Sequence, residues 1–230
     1  MKIVSFKICP FVQRVTAMLE AKGLDYDIAY ISLKDKPQWF LEASPHGQVP
    51  ILITDGGETL FESDAIMEYL DEIAPPLQPE LSPEQRALDR AWSYMAAKNY
   101  LAQCSTMRSA DSDTFTQRLE TLKGIFAKAE HALTGPYFNG DELSNVDIAW
   151  LVLLHRAHIV KVHSGHDLLA GFPKVQAWQA SLQALPITWA SVSTDFEQLF
   201  CDFYVSEHTF IGSPNSPQTQ SDDKCASSCC

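Results

Sequence analysis

Cys9 is the residue in this sequence whose position most favours chemistry, because it stands where a short strand turns into a helix. Residues 2–6 are rich in β-branched and aromatic side chains and predict a strand. From Pro10 the apolar positions recur at helical spacing, and proline suits the first helical position, whose N–H has no intrahelical partner. Cys9 is therefore expected at the N-cap, beside unpaired amides and the positive end of the helix dipole.

This position predicts a reactive thiol. A helix N-terminus can lower the pKa of a thiol from about 8.5 to about 3.5–7.5, and the thiolate is the nucleophilic form. A cysteine at a strand end can also serve as a small buried apolar residue. The proline that directly follows Cys9 at the junction favours the reactive interpretation. Residue 12 is valine, so Cys9 has no resolving cysteine nearby in the sequence and has to exchange with an external thiol.

The elements expected to position Cys9 follow the order β-α-β-α-β-β-α. A second strand is predicted over residues 26–31 and a short helix over residues 37–43. Residues 51–53 and 59–61 flank a tight-turn signal and predict a hairpin. Ser63 is expected to cap the helix that follows the hairpin. This order predicts a small sheet with helices on its faces.

The rest of the chain is expected to be helical and to end in a tail. Four prolines between residues 74 and 83 indicate a linker. Helices are predicted at residues 84–108, 114–133, 146–161, 173–185 and 188–204. From residue 206 the chain is polar and rich in serine, proline and aspartate, which predicts disorder. The predicted organisation is a domain at residues 1–78, a linker at 79–83, an all-helical domain at 84–205 and a disordered tail at 206–230.

The overall composition argues against several classes of protein. The formal net charge of −12 argues against binding to the phosphate backbone of nucleic acids. No run of about 18 apolar residues is present, and the N-terminus lacks the apolar core of a signal peptide. We therefore expect a cytoplasmic protein without a membrane partner. The six cysteines are unevenly spaced and match no disulfide or zinc framework.

Four motifs together resemble those of cytosolic glutathione transferases, most closely the omega-like, cysteine-dependent class. They are Cys9-Pro10-Phe11, Lys34-Asp35-Lys36-Pro37-Gln38-Trp39-Phe40, Gln48-Val49-Pro50 and Phe61-Glu62-Ser63. The resemblance extends over residues 1–205. It implies a thioredoxin-like α/β N-terminal domain that binds glutathione, and an all-α C-terminal domain that shapes the pocket of a second substrate. It also implies a homodimer.

The resemblance implies a role for each residue of a glutathione site. Pro50 would be the family's cis-proline, which lets the Val49 backbone pair with the cysteinyl amide of glutathione. Glu62 would meet the ammonium and Ser63 the carboxylate of the γ-glutamyl group, and Lys36 would meet the glycyl carboxylate. Taken alone, the same residues could be a trans-proline, an ordinary helix start and a surface lysine. The implied glutathione site consists of Phe11, Lys36, Val49, Pro50, Glu62 and Ser63.

A pocket for the second substrate is expected between the two domains. Aromatic residues are frequent in the helix over residues 91–107 and at the end of the last helix, and apolar clefts at domain interfaces often bind ligands. The candidate lining residues are Trp92, Met95, Tyr100, Phe196 and Phe200. Cys104 and Cys201 also have aromatic neighbours in the sequence, and we predict that both are core residues.

The remaining histidines are not expected to bind metal. His155, His158, His163 and His166 are close in sequence, but no cysteine or carboxylate stands at a matching helical spacing. We therefore predict no metal site. His46, in the loop before Pro50, is interpreted as a surface residue.

Two other patterns have structural or unknown roles. Ser144 and Asp147 have the spacing of a capping box at the start of an apolar helix, which the family resemblance also implies. We interpret it as a folding element. Cys225, Cys229 and Cys230 lie in the predicted tail, do not fit the prenylation pattern, and have no assigned purpose.

These observations predict a glutathione-dependent thiol transferase or reductase with glutathione as its co-substrate. The Cys9 thiolate would attack a glutathionylated substrate or reduce a compound such as dehydroascorbate, and would become a mixed disulfide with glutathione. A second glutathione would then release oxidised glutathione. The second substrate would be a small electrophile, a disulfide or a glutathionylated molecule.

Two interpretations from other classes are open at this stage. The first is a non-catalytic binding or regulatory protein that uses the same fold, since fold does not fix function. The presence of Cys9, Lys36, Glu62 and Ser63 argues against it, because a scaffold does not need them. The second is a chloride-channel-like relative with the same monothiol motif, which would associate with membranes.

Overall fold

The computed structural model describes residues 1–32 and 34–214. Its N-terminal part is a four-stranded mixed sheet with the strand order β2-β1-β3-β4. Strand β1 pairs in parallel with β2 and antiparallel with β3, and β3 pairs antiparallel with β4. The elements are β1 (Lys2–Ser5), α1 (Pro10–Lys22), β2 (Asp27–Tyr30), α2 (Gln38–Ala43), β3 (Ile51–Ile53), β4 (Thr59–Phe61) and α3 (Ser63–Ile73). The predicted element order and the thioredoxin-like fold class are confirmed.

The apolar residues of β1 alternate between two cores, as the two-residue period of a strand requires. Ile3 is buried in the main core, which includes residues of α1 and α3. Val4 points to the other face, where it packs with Ile51 of β3 and Phe40 of α2. The sheet is therefore covered on both faces, and the C-terminal end of β1 leads directly to Cys9.

The second part of the molecule is helical. It consists of α4 (Pro83–Met107), α5 (Ser112–Ala132), α6 (Asn145–Ser164), α7 (Pro173–Gln183), α8 (Pro186–Ala190) and α9 (Phe196–Tyr204). Helix α6 is buried on every side over residues 146–157 and forms the centre of this domain. The capping box predicted at its start is present, since the Ser144 and Asp147 side chains each accept a bond from the other's backbone amide. The all-helical C-terminal domain is confirmed.

One predicted helix is wrong in its extent. The pattern predicts a continuous helix over residues 188–204, but the chain leaves helical geometry between α8 and α9. There the Ser193 hydroxyl donates to an Asp195 carboxylate oxygen at 2.7 Å, and the Phe196 amide donates to the Ser193 carbonyl at 2.9 Å. These local bonds compete with the backbone hydrogen bonds that a continuous helix would form here.

The predicted tail also begins too early. Residues 206–214 are described, and Phe210–Gly212 form a short 3-10 helix. The Phe210 amide donates to the Ser109 carbonyl at 2.7 Å, and the Phe210 ring packs against Phe115 with 5.2 Å between ring centroids. Because Ile211 is buried as well, disorder from residue 206 is wrong for this stretch. The three cysteines of the predicted tail lie outside the described residues.

Within the described part of the chain, no helix combines the length and the hydropathy that crossing a membrane requires.

Candidate active site

Cys9 lies at the N-cap of α1, where the sequence places it. Its backbone is extended (φ −74°, ψ 124°), and Pro10 is the first helical residue. The Cys9 amide donates to the Phe6 carbonyl at 2.9 Å, so the chain turns tightly out of β1 before the helix begins. Cys9 is a free cysteine and is half-buried. Its thiol lies against the Val12 and Phe11 amides of the first helical turn.

The protonation of Cys9 differs from the sequence prediction. Burial raises the pKa of the Cys9 thiol, and this effect outweighs the backbone amides of Val12 and Phe11 and the charge of Arg156, which lower it. Helix amides stabilise the thiolate, as expected, but desolvation disfavours the charged form more strongly. A lowered thiol pKa, inferred from the N-cap position alone, is therefore wrong for the free protein.

Arg156 is a component of this site that the sequence does not reveal. It is fully buried on α6, and its Nη2 donates to the Ile8 carbonyl at 3.3 Å, one residue before Cys9. Its Nη1 donates to the Gln13 side-chain oxygen of α1. The guanidinium therefore places a positive charge close to the thiol, although Arg156 is far from Cys9 in the sequence.

Gln13 connects this guanidinium to a second buried group. Because the Gln13 oxygen accepts from Arg156, its amide nitrogen is the atom that faces His155 Nδ1, at 2.8 Å. An amide nitrogen donates, so His155 Nδ1 accepts and the ring is neutral with its proton on Nε2. Burial and the Arg156 charge lower the pKa of His155 to about 3, which agrees with a neutral ring.

A cavity of about 140 Å³ opens beside the first turn of α1. It contains five of the six residues that the family resemblance implies for glutathione, and the Val49–Pro50 peptide bond in its wall is cis. The lining also includes residues outside that implied set, among them His46, an exposed residue of the loop before Pro50. The full lining is Phe11, Ser44, His46, Gln48, Val49, Pro50, Phe61, Glu62, Ser63 and Asp64.

Lys36 is the implied glutathione residue that does not line this cavity. Its Nζ donates to the Gly47 carbonyl at 2.8 Å. Gly47 lies between two lining residues, His46 and Gln48, so the bond from Lys36 stabilises the loop that forms this part of the cavity wall. The lysine is half-buried and close to the rim of the cavity rather than inside it.

The end of the cavity opposite Cys9 is formed by the start of α3. Glu62 is the N-cap and has a positive φ of 65°, which is rare for a residue other than glycine. Such strain is concentrated at functional sites and costs about 1–3 kcal/mol. Ser63 is the first helical residue, so its predicted role as the cap is wrong. The amides of this first turn face the cavity and favour an anion.

Asp64 adds a carboxylate to the same wall. It lines the cavity and forms an ion pair with Arg14, whose side chain is almost completely buried on α1. The pair links the first turn of α3 to α1, the helix that carries Cys9. A carboxylate here suits a ligand with an ammonium group, and Arg14 keeps it in place.

The five residues predicted for the second-substrate pocket do not line the cavities found beside Cys9. Tyr100, Phe196 and Phe200 are buried in the core, each exposed by 2% or less. The Trp92 ring packs against Phe138, with 4.9 Å between centroids, in the interior of the helical domain. Met95 is half-buried against the same core. The burial of Tyr100, Phe196 and Phe200 argues against a pocket role for these three, because aromatic content in a helix does not reveal which face the helix buries.

A different cavity, of about 280 Å³, lies between the strand-to-helix turn of the sheet domain and α9. Phe196 and Phe200 are buried in the core, whereas Leu199 and Phe203 line this cavity. Lys7 and Asp195 form an ion pair at 2.5 Å that joins the two sides. The complete lining is Phe6, Ile8, Leu199, Asp202 and Phe203, which is mostly apolar.

The histidines of α6 and the following turn do not converge. His155 is buried, whereas His163 Nε2 lies 2.6 Å from a Glu197 carboxylate oxygen at the surface. The described residues contain no group of three or more histidine, cysteine or acidic side chains that could hold a metal ion.

Fold and site together define a class. A cysteine stands at the N-cap of the first helix of a thioredoxin-like domain, and Phe11 of the same helix lines a cavity with a cis-proline wall. A helical domain follows. This is the architecture of a thiol-dependent transferase. The family profile "Glutathione S-transferase, N-terminal domain" matches residues 3–80, and "Glutathione S-transferase, C-terminal domain" matches residues 112–179. The chain belongs to the glutathione S-transferase family of enzymes, and its class is omega-like.

Individual relatives agree with this assignment. Glutathione S-transferase omega-1 of Rattus norvegicus is 31% identical over 191 residues, which cover 81% of this chain and 78% of the relative. Glutathione transferase Omega 3C of Trametes versicolor has a TM-score of 0.71 at 26% identity, covering 84% of this chain and 88% of that one. The dehydroascorbate reductase of Chlamydomonas reinhardtii has a TM-score of 0.66 at 25% identity, over 88% and 97% of the two chains.

Proposed function

We propose that this protein is a glutathione-dependent thiol transferase and reductase that works through a mixed disulfide between Cys9 and glutathione. The observation that carries the proposal is the position of the Cys9 thiol. It stands at the N-cap of α1, and Phe11 of the same turn lines the cavity that leads to the start of α3. Relatives named omega glutathione transferase and dehydroascorbate reductase support the same chemistry.

Glutathione would occupy the cavity of about 140 Å³ in an extended form. Its γ-glutamyl carboxylate would meet Ser63 and the amides of the first turn of α3, where an anion is favoured. Its ammonium would meet the carboxylates of Glu62 and Asp64. The Val49 backbone would pair with the cysteinyl part like an added strand, which directs the sulfur of glutathione toward Cys9.

The reaction would begin with the Cys9 thiolate attacking the glutathione sulfur of a mixed disulfide substrate. The S–S bond to the substrate breaks, the substrate leaves as a thiolate that takes up a proton, and glutathione becomes bonded to Cys9. A second glutathione thiolate then attacks the glutathione sulfur of this adduct, which releases oxidised glutathione and restores Cys9. The Val12 and Phe11 amides and the Arg156 charge stabilise the Cys9 anion in both steps, against the cost of burial.

The second substrate would bind in the apolar cavity beside α9. This cavity includes Ile8, the residue directly before Cys9, which supports binding of the substrate on this side of the strand-to-helix turn. Its lining of phenylalanine and aliphatic side chains suits an aromatic or aliphatic group on the leaving sulfur. Asp202 at the rim is the polar exception.

Replacement of the nucleophile tests the proposal. Cys9→Ala is expected to abolish the glutathione-driven reduction of hydroxyethyl disulfide and of dehydroascorbate, while the variant still binds glutathione-agarose. Cys201→Ser, which alters another partly exposed cysteine, is the matched control and should retain wild-type activity. Full activity of Cys9→Ala would disprove the mechanism.

The assembly and the location are part of the same proposal. A homodimer is supported by apolar side chains that remain exposed on β4 and α4, namely Phe61, Leu88 and Leu101, exposed by 40%, 56% and 62%. Size-exclusion chromatography with light scattering measures this directly. A cytoplasmic location is supported by a mechanism that needs a reduced glutathione pool.

A further inference from the structure

The apolar cavity beside α9 combines aromatic rings with a carboxylate. Its volume is about 280 Å³, and its lining includes two phenylalanines, Phe6 and Phe203, and one acid, Asp202. The remaining lining residues, Ile8 and Leu199, are aliphatic. Aromatic rings attract ammonium and guanidinium groups through the ring quadrupole, and a carboxylate attracts them through its charge. The two kinds of group together suit a positive charge that is carried on an apolar chain.

The Asp202 carboxylate has capacity for such a ligand. Its Oδ1 accepts from the side-chain amide of Gln198, one helical turn earlier, at 2.7 Å. Asp195, the acid at the start of the same helix, is paired with Lys7 at 2.5 Å, whereas no ion pair between described residues includes Asp202. The Asp202 side chain is also exposed. Its negative charge is therefore not neutralised within the described part of the chain.

Phe203 already contacts one cation. The guanidinium of Arg108, directly after α4, lies over the Phe203 ring, with 4.5 Å from its central carbon to the ring centroid. Phe203 remains exposed by 41%, so Arg108 leaves part of the ring accessible. The contact shows that a guanidinium can be held against this ring. Arg108 also opposes a second cation at the same ring, because like charges repel.

The other charges around the cavity favour a cationic ligand. Helix α9 contains the acids Glu197 and Asp202 and no lysine or arginine. Lys7, in the strand-to-helix turn, is neutralised by its pairing with Asp195. The Arg156 guanidinium is fully buried and does not line the cavity. The formal net charge of the chain is −12, which attracts cations over longer distances.

We propose that this cavity selects substrates whose leaving thiol carries an ammonium or guanidinium group on an apolar chain, recognised by Asp202 and the rings of Phe6 and Phe203. This inference rests on the proposed function and names the substrate class of the same reaction. The chemistry at Cys9 is unchanged. Its thiolate takes the glutathione sulfur of the mixed disulfide, and the cationic thiol leaves and takes up a proton.

A matched pair of substrates tests the inference. The mixed disulfide of glutathione with thiocholine carries a trimethylammonium group, and its carbon isostere carries a tert-butyl group of nearly the same shape without the charge. The measurement is kcat/KM for each disulfide, from the oxidised glutathione released, which glutathione reductase and NADPH report. Each variant is compared with the wild type on the same two disulfides, so the difference in leaving-group reactivity cancels.

The wild type should prefer the cationic disulfide. In Asp202→Asn the ratio of the two kcat/KM values should fall about five- to tenfold, because the variant keeps the shape of the side chain and loses its charge. Phe203→Leu, which keeps an apolar side chain without a ring, should lower the same ratio. Arg108→Gln should raise it, because the opposing charge is removed, and this variant leaves every lining residue in place.

The outcomes distinguish this inference from the proposed function. Asp113→Asn, at an exposed acid of α5 that does not line the cavity, is the matched control and should keep the wild-type ratio. An unchanged ratio in Asp202→Asn, or an equal fall in Asp113→Asn, would overturn the inference and leave the proposed function intact. Turnover of neither disulfide by the wild type would disprove the proposed function, and the inference with it.

Discussion

At the scale of single residues, the reactivity of Cys9 is a balance between local and distant groups. The Val12 and Phe11 amides of its own helix and the charge of Arg156 on α6 each lower the pKa of the thiol. Burial has a larger effect in the opposite direction, so the pKa is raised. A thiolate with a high pKa is a stronger nucleophile, although less of it is present at neutral pH. The site therefore combines a small thiolate fraction with high intrinsic reactivity.

This balance predicts the pH dependence of Cys9 alkylation. Because the pKa is raised, the thiolate fraction should grow about tenfold per pH unit through pH 8 without reaching a plateau. The measurement is the rate at which iodoacetamide modifies peptide 8–14 in the free protein between pH 6 and 10. A plateau below pH 7 would contradict the prediction. Arg156→Met should move the profile to still higher pH, because it removes a charge that favours the anion.

The sequence predicts the part of the site that depends on neighbouring residues. The N-cap position of Cys9 follows from local helix-start signals, because helix starts depend on local chain geometry. The residues around Pro50 and Glu62 were indicated by the family resemblance of their motifs. Arg156 could not be predicted, because it reaches the site through tertiary packing of a helix far away in the sequence. The thiol pKa was predicted in the wrong direction for the same reason, since burial is not a local property.

At the scale of elements, α6 anchors the helical domain through the capping box at its start. The Asp147 carboxylate accepts from the Phe138 amide at 2.8 Å, from the Trp178 indole at 2.6 Å and from the Ser144 amide and hydroxyl at 2.8 and 2.6 Å. One buried side chain thus satisfies donors from three segments. Its removal would leave all of them unpaired.

Two substitutions should distinguish the stability that helix capping contributes from the stability that the other hydrogen bonds of Asp147 contribute. Ser144→Ala removes one cap bond and is expected to cost about 1 kcal/mol. Asp147→Ala leaves several buried donors unsatisfied and is expected to cost about 3–5 kcal/mol. Urea unfolding measures both values, with Asp113→Ala in the exposed first turn of α5 as the control, expected within about 0.5 kcal/mol of the wild type. Equal losses for Ser144→Ala and Asp147→Ala would contradict the prediction.

The break before α9 shows why the residues that line the apolar cavity beside this helix were not predicted. In one continuous helix over residues 188–204, the buried face of the first turns would determine which later residues are buried. Because α9 is a separate helix that begins at Phe196, its buried face is independent of α8. In α9, Phe196 and Phe200 are core residues, and Leu199 and Phe203 line the cavity. The break depends on side-chain bonds of Ser193 and Asp195, which an apolar pattern does not reveal.

Helix α9 should therefore control selectivity for the second substrate. Phe203→Ala enlarges the apolar cavity and is expected to raise KM for glutathione disulfides that carry a bulky aromatic group about five- to tenfold. The KM for hydroxyethyl disulfide, which is small, should change little. Cys201→Ser on the same helix, which does not line the cavity, is the matched control. An equal effect on both substrates would show that Phe203 does not contact the leaving group.

At the scale of the whole molecule, a group of buried hydrogen bonds joins the sheet domain to the helical domain. Gln13 of α1 accepts from Arg156 and donates to His155, both on α6, and the Thr16 hydroxyl donates to the Ser191 carbonyl at 2.6 Å. These buried groups depend on one another, because each would be unsatisfied if the domains separated. The helix that carries Cys9 is thus held in place by the helical domain.

Gln13→Ala should uncouple the two domains. The substitution leaves the buried Arg156 cation with one acceptor fewer and His155 without its donor, so we expect a loss of about 3 kcal/mol in unfolding free energy. Because four of the five tryptophans lie in the helical domain, fluorescence follows that domain and circular dichroism follows the whole chain. The two urea transitions should coincide in the wild type and in Gln117→Ala, an exposed control on α5, and separate in Gln13→Ala. Coincident transitions with an unchanged midpoint in Gln13→Ala would mean that apolar packing alone joins the domains.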